Sequence, residues 1–373
     1  MAWKEETIMS QRLSFIQAVL EQKKPFSHIC RDFGISRQTG YKTLNSYQLK
    51  GEEGLCPGSR APLSSPNKTS SELENEIFLL RAKYPTWGAR TMHAFLSNTQ
   101  NKIPSISTIS AILKRNGYIS TEESLKRKAH IRFEREYSND LWQMDFKGRF
   151  HLETKEWCYP LTIVDDYSRF SLCLQSCKNE KTNTVLQHLY KVFCEYGLPN
   201  QINVDNGNPW GHSSGVRYTS LTIWLIRLGI KVTHSRPWHP QTNGKIERFH
   251  RTLKNDVISR NKIRNYKHAQ NLFDEWREVY NYIRPHQAIG LLTPSQRYKP
   301  SRKSMPSSLP SIEYEENAIV KKVRGNGGII YKEKEYIVGK AFRGLNVQIK
   351  PNEIHKKVEI YFCTDRIYSA TQP

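Results

Sequence analysis

Three acidic residues, Asp145, Asp205 and Glu247, lie where an α/β topology could bring their carboxylates together. Asp145 lies inside a predicted strand, Asp205 ends a short buried strand, and Glu247 falls in the first turns of a predicted helix. Asn206 and Gly207 permit a sharp turn after Asp205, which would open its side chain to the crevice where such sheets bind ligands.

Two aspartates and a glutamate supply the hard oxygen ligands that Mg²⁺ and Mn²⁺ prefer. Two such ions about 3.5 to 4 Å apart would activate a water or a 3′ hydroxyl and stabilise the departing oxygen in an in-line displacement at phosphorus. Each carboxylate also has a purely structural alternative. Asp145 could pair with Lys147, and Asp205 could cap a turn. Glu247 could form a helical ion pair with Arg251.

The predicted helix that carries Glu247 is basic. Arg251 and Lys254 follow Glu247 at positions i+4 and i+7, so they share its face and could follow a phosphate backbone. Lys245 is a third candidate for contact with DNA on this helix. The alternative for these residues is the ordinary charge of a solvated helix surface.

The whole chain is strongly basic, with 57 Lys and Arg against 35 Asp and Glu, a net charge of +22 and a sequence pI near 9.6. This charge predicts a polyanionic partner. The mean hydropathy of −0.67 and the lack of a long apolar run exclude a membrane span, which leaves nucleic acid as the favoured partner. The amino terminus lacks the apolar stretch of a secretory signal, and we expect a cytoplasmic protein.

The seven cysteines are scattered, and only Cys173 and Cys177 lie close together. Without a second close pair or a His-x-x-x-His motif, neither a disulfide framework nor a structural zinc site is predicted. Ordinary packing in a reducing compartment accounts for these residues.

Residues 1–52 are predicted to form a helix-turn-helix domain. Gly34 can end the second helix in the left-handed conformation, and Ser36 can cap the third. Residues at the start of such a helix face the major groove, where Arg and Gln can pair with guanine and adenine edges. The DNA-binding candidates are Ser36, Arg37, Gln38, Tyr41 and Lys42. The alternative is a three-helix bundle that serves packing alone.

A second helical unit is predicted downstream. Residues 53–70 are rich in Gly, Pro and Ser and predict a linker, and residues 71–120 predict another helix-turn-helix-like domain. Its core candidates are Trp87, Leu96, Ile109, Ile112 and Leu113. The charged stretch 121–137 predicts a basic linker, which could be solvated or could contact a nucleic-acid backbone, and the residues favour neither.

Residues 138–298 alternate between strand and helix patterns, which predicts an α/β core with a three-stranded meander, two further strands and long helices near its end. A Pro- and Ser-rich linker is predicted over 299–312. Short strands then predict a small all-β barrel over 313–373. Basic residues of this last domain hint at DNA, although a protein partner fits as well: Lys321, Lys322, Lys332, Lys334 and Arg343.

Several segments of the chain resemble DDE insertion-sequence transposases, whose catalytic core is similar to retroviral integrase. They stand in the family's order and are WQMDFKG, IVDDYSRF, NVDNGNPW, LGIKVTHSRPWHPQTNGKIERFHRTLK and YNYIRPHQAIGLLTPSQRY, with WGARTM and the helix-turn-helix segments upstream. The run HPQTNGKIERFHRTLK is highly specific. The resemblance implies a ribonuclease-H-like α/β core, preceded by all-α helix-turn-helix domains and followed by the small barrel.

The resemblance also implies the roles of individual residues. It places Asp145, Asp205 and Glu247 in the three catalytic positions, where they would bind two Mg²⁺ or Mn²⁺ ions per active site. Residues at the entry to the last catalytic helix would shape it: Pro240, Asn243 and Gly244. Asp166 matches no catalytic position.

The chain departs from retroviral integrases in two respects. The interval between Asp205 and Glu247 is longer, and the extra length is predicted to form a surface loop in GNPWGHSSGVRY. The amino-terminal zinc-binding module of those integrases is replaced by the helix-turn-helix units. Recognition of DNA ends is therefore expected from a different type of domain.

The function implied is a transposase that binds the terminal inverted repeats of an insertion sequence and catalyses metal-dependent DNA cleavage and strand transfer at the bacterial nucleoid. Its expected partners are double-stranded DNA, at the element ends and at the target, and at least one further copy of the chain. Two alternatives remain open. One is a DNA-binding regulator that has lost catalysis, and the other is a nuclease that cuts without joining.

Overall fold

The structure is a computed structural model that describes residues 7–57, 68–100, 102–119, 134–211, 218–235, 244–352 and 357–371. The chain divides into two units, Met1–Lys68 and Thr69–Pro373. Within the described ranges, no helix is both long enough and apolar enough to cross a lipid bilayer. Several predictions concern residues outside these ranges: most of the linkers 53–70 and 121–137, Pro240, Asn243 and much of the loop before residue 218.

Three helices and a short 3₁₀ turn form the first unit: α1 (Ile8–Leu20), α2 (Phe26–Asp32), α3 (Arg37–Lys50) and Gly51–Leu55. Their buried apolar residues form one cluster of Phe15, Ile16, Ile29, Cys30 and Leu55. Gly34 adopts a φ of 65°, and the Ser36 hydroxyl accepts a hydrogen bond from the Thr39 amide at 3.2 Å. The predicted turn and cap are confirmed.

A second set of three helices begins the other unit: α4 (Ser71–Lys83), α5 (Ala89–Ser97) and α6 (Ile106–Arg115). The predicted core residues Trp87, Leu96, Ile109, Ile112 and Leu113 are all buried there, together with Ile77 and Met92. Amphipathic spacing explains the arrangement, because the buried positions of α6 recur every three or four residues.

Six strands form the central sheet: β1 (Leu141–Phe146), β2 (Phe150–His151), β3 (Trp157–Asp165), β4 (Ser171–Cys177), β5 (Gln201–Val204) and β6 (Lys231–His234). The order is β2-β3-β1-β5-β6, and β4 pairs with β3. Strands β1, β3 and β4 form the predicted antiparallel meander. Strands β5 and β6 are parallel to β1, as in an α/β core.

Helices cover both faces of this sheet. One face packs in a cluster with α7 (Thr182–Tyr196) and α8 (Ser220–Arg227). The other face packs against α9 (Gly244–Leu253) and α10 (Tyr266–Glu278). Because successive side chains of a strand point to opposite faces, Trp142 and Met144 belong to the α7 face, whereas Gln143 and Asp145 point toward α9.

Helices α9 and α10 each end in a π-helical turn, Lys254–Ile258 and Val279–Ile283, rather than continuing as α-helix. The long helices predicted near the end of the core are therefore present, but each changes its hydrogen-bond pattern in its last turn. A short helix, α11 (Pro294–Arg297), follows.

The Pro- and Ser-rich segment predicted as a linker lies against the core. The Leu198 amide donates to the Lys303 carbonyl at 2.7 Å, and Asn139 Nδ2 donates to the Lys299 carbonyl at 2.7 Å. Gly197 allows this close approach, since a Cβ there would lie 2.7 Å from the Lys303 carbonyl oxygen. This segment is thus docked on the core along part of its length.

The carboxy-terminal region consists of small sheets. A four-stranded sheet has the order β12-β11-β10-β7, and a hairpin pairs β8 with β9. Their bounds are β7 (Ile319–Lys322), β8 (Gly328–Tyr331), β9 (Lys334–Ile337), β10 (Asn346–Asn352), β11 (Lys357–Phe362) and β12 (Asp365–Thr371). The short strands predicted for this region are confirmed, and closure into a barrel stays a prediction. The region packs against Ile223 and Ile226 of α8.

Candidate active site

Parallel pairing of β1 with β5 places Asp145 and Asp205 side by side. The pairing matches Leu141 with Gln201 and Gln143 with Asn203. If this register continues for two more positions, Asp145 lies opposite Asp205. Adjacent strands lie about 4.8 Å apart, so the backbones of the two aspartates are neighbours. The two aspartates therefore share the carboxyl edge of the sheet, as an α/β topology allows, with Asp145 inside β1 and Asp205 directly after β5.

The surroundings of Asp205 leave its carboxylate partly accessible. Oδ1 accepts a hydrogen bond from the Gly207 amide at 3.0 Å, which is the turn-capping contact weighed as a structural alternative. A Cβ at Gly207 would lie 3.2 Å from Oδ2 of the same carboxylate. Glycine at this position thus keeps space beside Oδ2, and the turn-capping contact leaves that oxygen available for another partner.

Glu247 lies in the first turns of α9 and is exposed. The helix packs on the sheet through Ile246, Phe249 and Leu253, which are buried. Among the ion pairs of the described residues, none joins Glu247 to Arg251 or Asp145 to Lys147. The proposed structural pairings of these two carboxylates are therefore not formed.

Negative charge accumulates around Asp145. Burial, the largest cause, and the carboxylates of Asp205, Glu180 and Glu247 together raise the pKa of Asp145 to about 7, against a backbone hydrogen bond at Phe146 that lowers it. All three predicted carboxylates therefore belong to one electrostatic neighbourhood. Across the described parts of the chain, however, no three His, Cys, Asp or Glu side chains converge closely enough to ligate one metal ion.

Glu180 is a fourth carboxylate of this neighbourhood that the sequence analysis missed. Burial raises the pKa of Glu180, Asp205 raises it further, and Arg149 lowers it. Strand directions could have revealed its position. Because β3 is antiparallel to both β1 and β4, the ends of β1 and β4 lie at the same edge, and Glu180 closely follows β4.

Thr162 and His250 contact Asp145 and were also missed. The Thr162 hydroxyl donates to the Asp145 carbonyl at 2.8 Å, and the same oxygen lies 2.7 Å from His250 Nε2. Because the Thr162 hydroxyl donates its only hydrogen to the Asp145 carbonyl, it can only accept from His250. His250 Nε2 therefore carries a hydrogen and donates it to the Thr162 oxygen. Burial, assisted by Lys147, lowers the pKa of His250 to about 3, so the ring is neutral. Its Nδ1 lies 3.9 Å from Asp145 Oδ2.

The basic candidates on this helix occupy two different environments. Arg251, in α9, and Lys254, in the turn that follows, are exposed, as a role in backbone contact requires. Lys245 instead pairs with the buried carboxylate of Asp166, and only 17 % of its side chain is exposed. Lys245 is therefore not retained among the proposed DNA-binding residues.

In the first unit, α3 presents a polar face to solvent. The five predicted contact residues are exposed: Ser36, Arg37, Gln38, Tyr41 and Lys42. Gly40 faces the opposite way, and a Cβ there would lie 2.7 Å from Cys30 Sγ. Tyr41 stacks on Phe26 with ring centroids 4.2 Å apart, so part of its ring supports the fold.

Known domain families match the chain in five segments. Integrase core domain profiles match residues 135–240 and 228–294. Homeodomain-like domain profiles match residues 9–56 and 39–113. The C-terminal domain of the IS481 family transposases matches residues 318–370. These matches confirm the predicted resemblance to insertion-sequence transposases.

Relatives include proteins of mobile elements. The uncharacterized 39.2 kDa protein of insertion element IS476 from Xanthomonas euvesicatoria is 27 % identical over 158 residues, 42 % of this chain and 44 % of that protein. The putative integrase ORF3 of Spiroplasma virus SpV1-C74 is 26 % identical over 214 residues, 52 % of this chain and 58 % of that protein. The chain thus spans about half the length of the curated relatives it matches.

Among solved structures, the catalytic core domain of HTLV-2 integrase in complex with magnesium, in its dimeric form, is 17 % identical to this chain. The match covers 43 % of this chain and 97 % of that one, with a TM-score of 0.33. A likeness this distant adds nothing to the geometry of the site.

Proposed function

We propose that this chain, which carries an integrase core domain, homeodomain-like units and the C-terminal domain of IS481 family transposases, is itself a transposase. It binds the terminal inverted repeats of an insertion sequence, cuts DNA there and joins the freed ends to target DNA. The observation that carries the proposal is the parallel pairing of β1 with β5, which brings Asp145 and Asp205 to one sheet edge within the matched core.

Asp145, Asp205 and Glu247 are the proposed catalytic and metal-binding residues. Their carboxylates are the donors that Mg²⁺ or Mn²⁺ prefers. Burial is the main cause of the raised pKa of Asp145, and the neighbouring carboxylates add a negative charge that divalent cations would offset. Glu247 is exposed on α9 and has to turn toward the two aspartates for the three to share two ions. The set of donors fits the ions, and the final arrangement requires this side-chain movement.

When bound, the ions would promote deprotonation of the attacking oxygen and stabilise the leaving one. In cleavage, the oxygen of water forms a bond to phosphorus as the bond to the departing 3′ oxygen breaks. In joining, the freed 3′ hydroxyl attacks a phosphate of the target in the same way. The chain orients the DNA for both steps, with Arg251 and Lys254 contacting phosphates beside the carboxylates.

Recognition of the element ends is assigned to α3. Alanine at either Arg37 or Gln38 should weaken binding to the terminal repeat by about fivefold to a hundredfold, because paired hydrogen bonds to base edges contribute about 1 to 3 kcal/mol each. Binding to random DNA should change far less. Fluorescence anisotropy with both DNAs measures this, and Lys50→Ala, at the far end of the same helix, is the control. Equal losses on both DNAs would remove the assignment.

The active assembly is proposed to be at least a dimer on DNA, since two ends must be joined to one target. Its proposed place of action is the bacterial cytoplasm, at the nucleoid. Sedimentation of the chain with terminal-repeat DNA should show two or more copies in the complex that joins paired ends. Full paired-end joining by a complex containing one copy would contradict this.

The deciding experiment is strand transfer of a labelled terminal-repeat oligonucleotide into plasmid DNA with Mg²⁺ or Mn²⁺, comparing the wild-type chain with Glu247→Gln. We expect joined products from the wild type and none from the variant, although both bind the oligonucleotide. Cuts without joints would indicate a nuclease. Tight binding by the wild type without cuts or joints in either metal would indicate a regulator.

A further inference from the structure

Asp166, which matches no catalytic position, is the centre of a buried polar network beneath the start of α9. It is 1 % exposed, and each carboxylate oxygen has a defined partner. Oδ1 accepts from Gln143 Nε2 at 2.8 Å. Oδ2 accepts from the Arg135 amide at 3.1 Å and from the Lys245 ammonium. A buried carboxylate with this many donors is held in one position.

Gln143 connects this network to the backbone of α9. Its Oε1 accepts from the Ile246 amide at 3.2 Å, which satisfies one of the amides that the first turn of a helix leaves without an intrahelical partner. Its Nε2 donates to Asp166, so the orientation of the Gln143 amide is fixed at both ends. Gln143 and Asp145 lie two positions apart on β1 and therefore point to the same face of the sheet.

The helix has a second attachment one turn later. His250 Nε2 lies 2.7 Å from the Thr162 hydroxyl, which in turn donates to the Asp145 carbonyl at 2.8 Å. Thr162 is opposite Asp145 in the pairing of β1 with β3. The first attachment, through Gln143, thus ends on β1, the strand of Asp145. The second, through Thr162, ends on the neighbouring strand β3.

Glu247 lies between these two attachments, directly after Ile246 and three residues before His250. We propose that Asp166, Gln143 and Lys245 are positioning residues, which fix the first turn of α9 and thereby the distance of Glu247 from Asp145. The inference rests on the proposed function, since it assigns these residues a role in a reaction that needs both carboxylates. It also gives Lys245 a role within the protein in place of contact with DNA.

A contribution to stability alone explains this network less well. A buried ion pair adds little net stability, because removing both charges from water costs about as much as their attraction returns. What the network does supply is a set of directional contacts. These contacts hold the start of α9 against β1 and Asp166. They join residues that are far apart in the chain: Asp166 and Lys245 are 79 positions apart, and Gln143 and Ile246 are 103 positions apart.

The test compares Asp166→Asn with wild type in the full chain, by strand transfer, by terminal-repeat binding and by hydrogen exchange of peptides covering residues 244–252. We expect the joining rate at saturating DNA to fall by about tenfold to a hundredfold, as for a misplacement of about 1 Å. DNA affinity should stay unchanged, and exchange should quicken in the first turn of α9. Lys245→Arg, which keeps the ion pair, should join nearly as fast as wild type.

Asp256→Asn is the matched control, since it removes the charge of a half-buried carboxylate that pairs with Arg284 beyond the end of α9. It should lower the melting temperature without quickening exchange in the first turn or slowing the joining of DNA. If Asp166→Asn fails to fold, Gln143→Met, which removes the contacts of that amide to Asp166 and to the Ile246 amide, gives the same measurement. Normal joining and normal exchange in a folded Asp166→Asn or Gln143→Met chain would overturn the proposal, whereas absence of joining by wild type would instead overturn the function.

Discussion

The two sides of the candidate site are positioned in different ways. Asp145 and Asp205 follow from backbone pairing of β1 with β5, in which the ladder hydrogen bonds do not depend on side-chain identity. Glu247 depends on side-chain contacts that hold α9, made by Gln143, Asp166 and Thr162. One half of the site is therefore fixed by topology, and the other half by individual residues that a single substitution can remove.

Asp205→Asn should have the largest effect. The substitution leaves the strand pairing intact but removes one of the two charges that the pairing places together, so we expect the joining rate to fall on the order of a thousandfold, as for loss of a group that stabilises the transition state. Terminal-repeat binding should not change. Strand transfer measures this, with Asp274→Asn on the outer surface of α10 as the control. Joining at the wild-type rate by Asp205→Asn would remove Asp205 from the site.

Thr162→Val tests the helix side of the comparison. Valine has the same shape but leaves the Asp145 carbonyl and the His250 Nε2 hydrogen without their partner, at a cost of about 1 to 3 kcal/mol in folding free energy. We expect a loss of joining of about tenfold, since α9 keeps its first attachment. Thr162→Ser, which retains the hydroxyl, should restore most of the rate. If valine and serine behave alike, the hydroxyl has no positioning role.

The smallest expected effect is a change in the pH dependence of stability, caused by His286, which lies in the group of rings that packs behind α9. Phe249 packs on Tyr280 with centroids 4.9 Å apart, and Tyr280 packs on His286 at 4.5 Å. His286 Nε2 lies 3.0 Å from the Tyr280 carbonyl oxygen. Burial, together with the positive charges of Arg284, Arg169 and Arg248, lowers the pKa of His286 to about 3, against the hydrogen bond to Tyr280, which raises it.

Because the folded pKa lies below the ordinary value near 6.5, the unfolded chain binds the proton more readily. The contribution of His286 to stability is therefore complete above pH 6.5 and decreases as the pH falls toward 3. We expect His286→Gln to flatten the fall in melting temperature between pH 7 and pH 5 by a few degrees, measured by differential scanning fluorimetry. An unchanged pH profile would show that His286 is not buried in its neutral form.

Much of the fold could be predicted from sequence periodicity. The two helical units, the three-stranded meander and the two further strands of the core were predicted and are present, because alternation and helical spacing are local signals. The π-helical turns were not predicted, since their spacing is close to that of an α-helix. The docking of residues 299–303 was also missed, since composition alone does not show what a Pro- and Ser-rich segment contacts.

The site was predictable to the extent that strands fix it. Asp145 was predicted inside a strand and Asp205 at the end of one, and a resemblance in long segments assigned catalytic positions to these two residues and to Glu247. The partnership of Lys245 with Asp166 was not predictable, because it joins residues distant in the chain through side chains alone. Glu180 could have been found from the direction of β4, which brings its end to the edge shared by the two aspartates.

The pairing of β1 with β5 also determines where the chain tolerates changes in length. Insertions in the loops outside these two strands leave their register unchanged, and each doubling of a loop costs about 0.6 kcal/mol in closure entropy. Deletion of one residue within β5, by contrast, would turn every later side chain of that strand to the opposite face, Asp205 included. Divergent copies of such a protein should therefore vary freely in loop length between Asp205 and Glu247 while keeping the number of residues in these two strands constant.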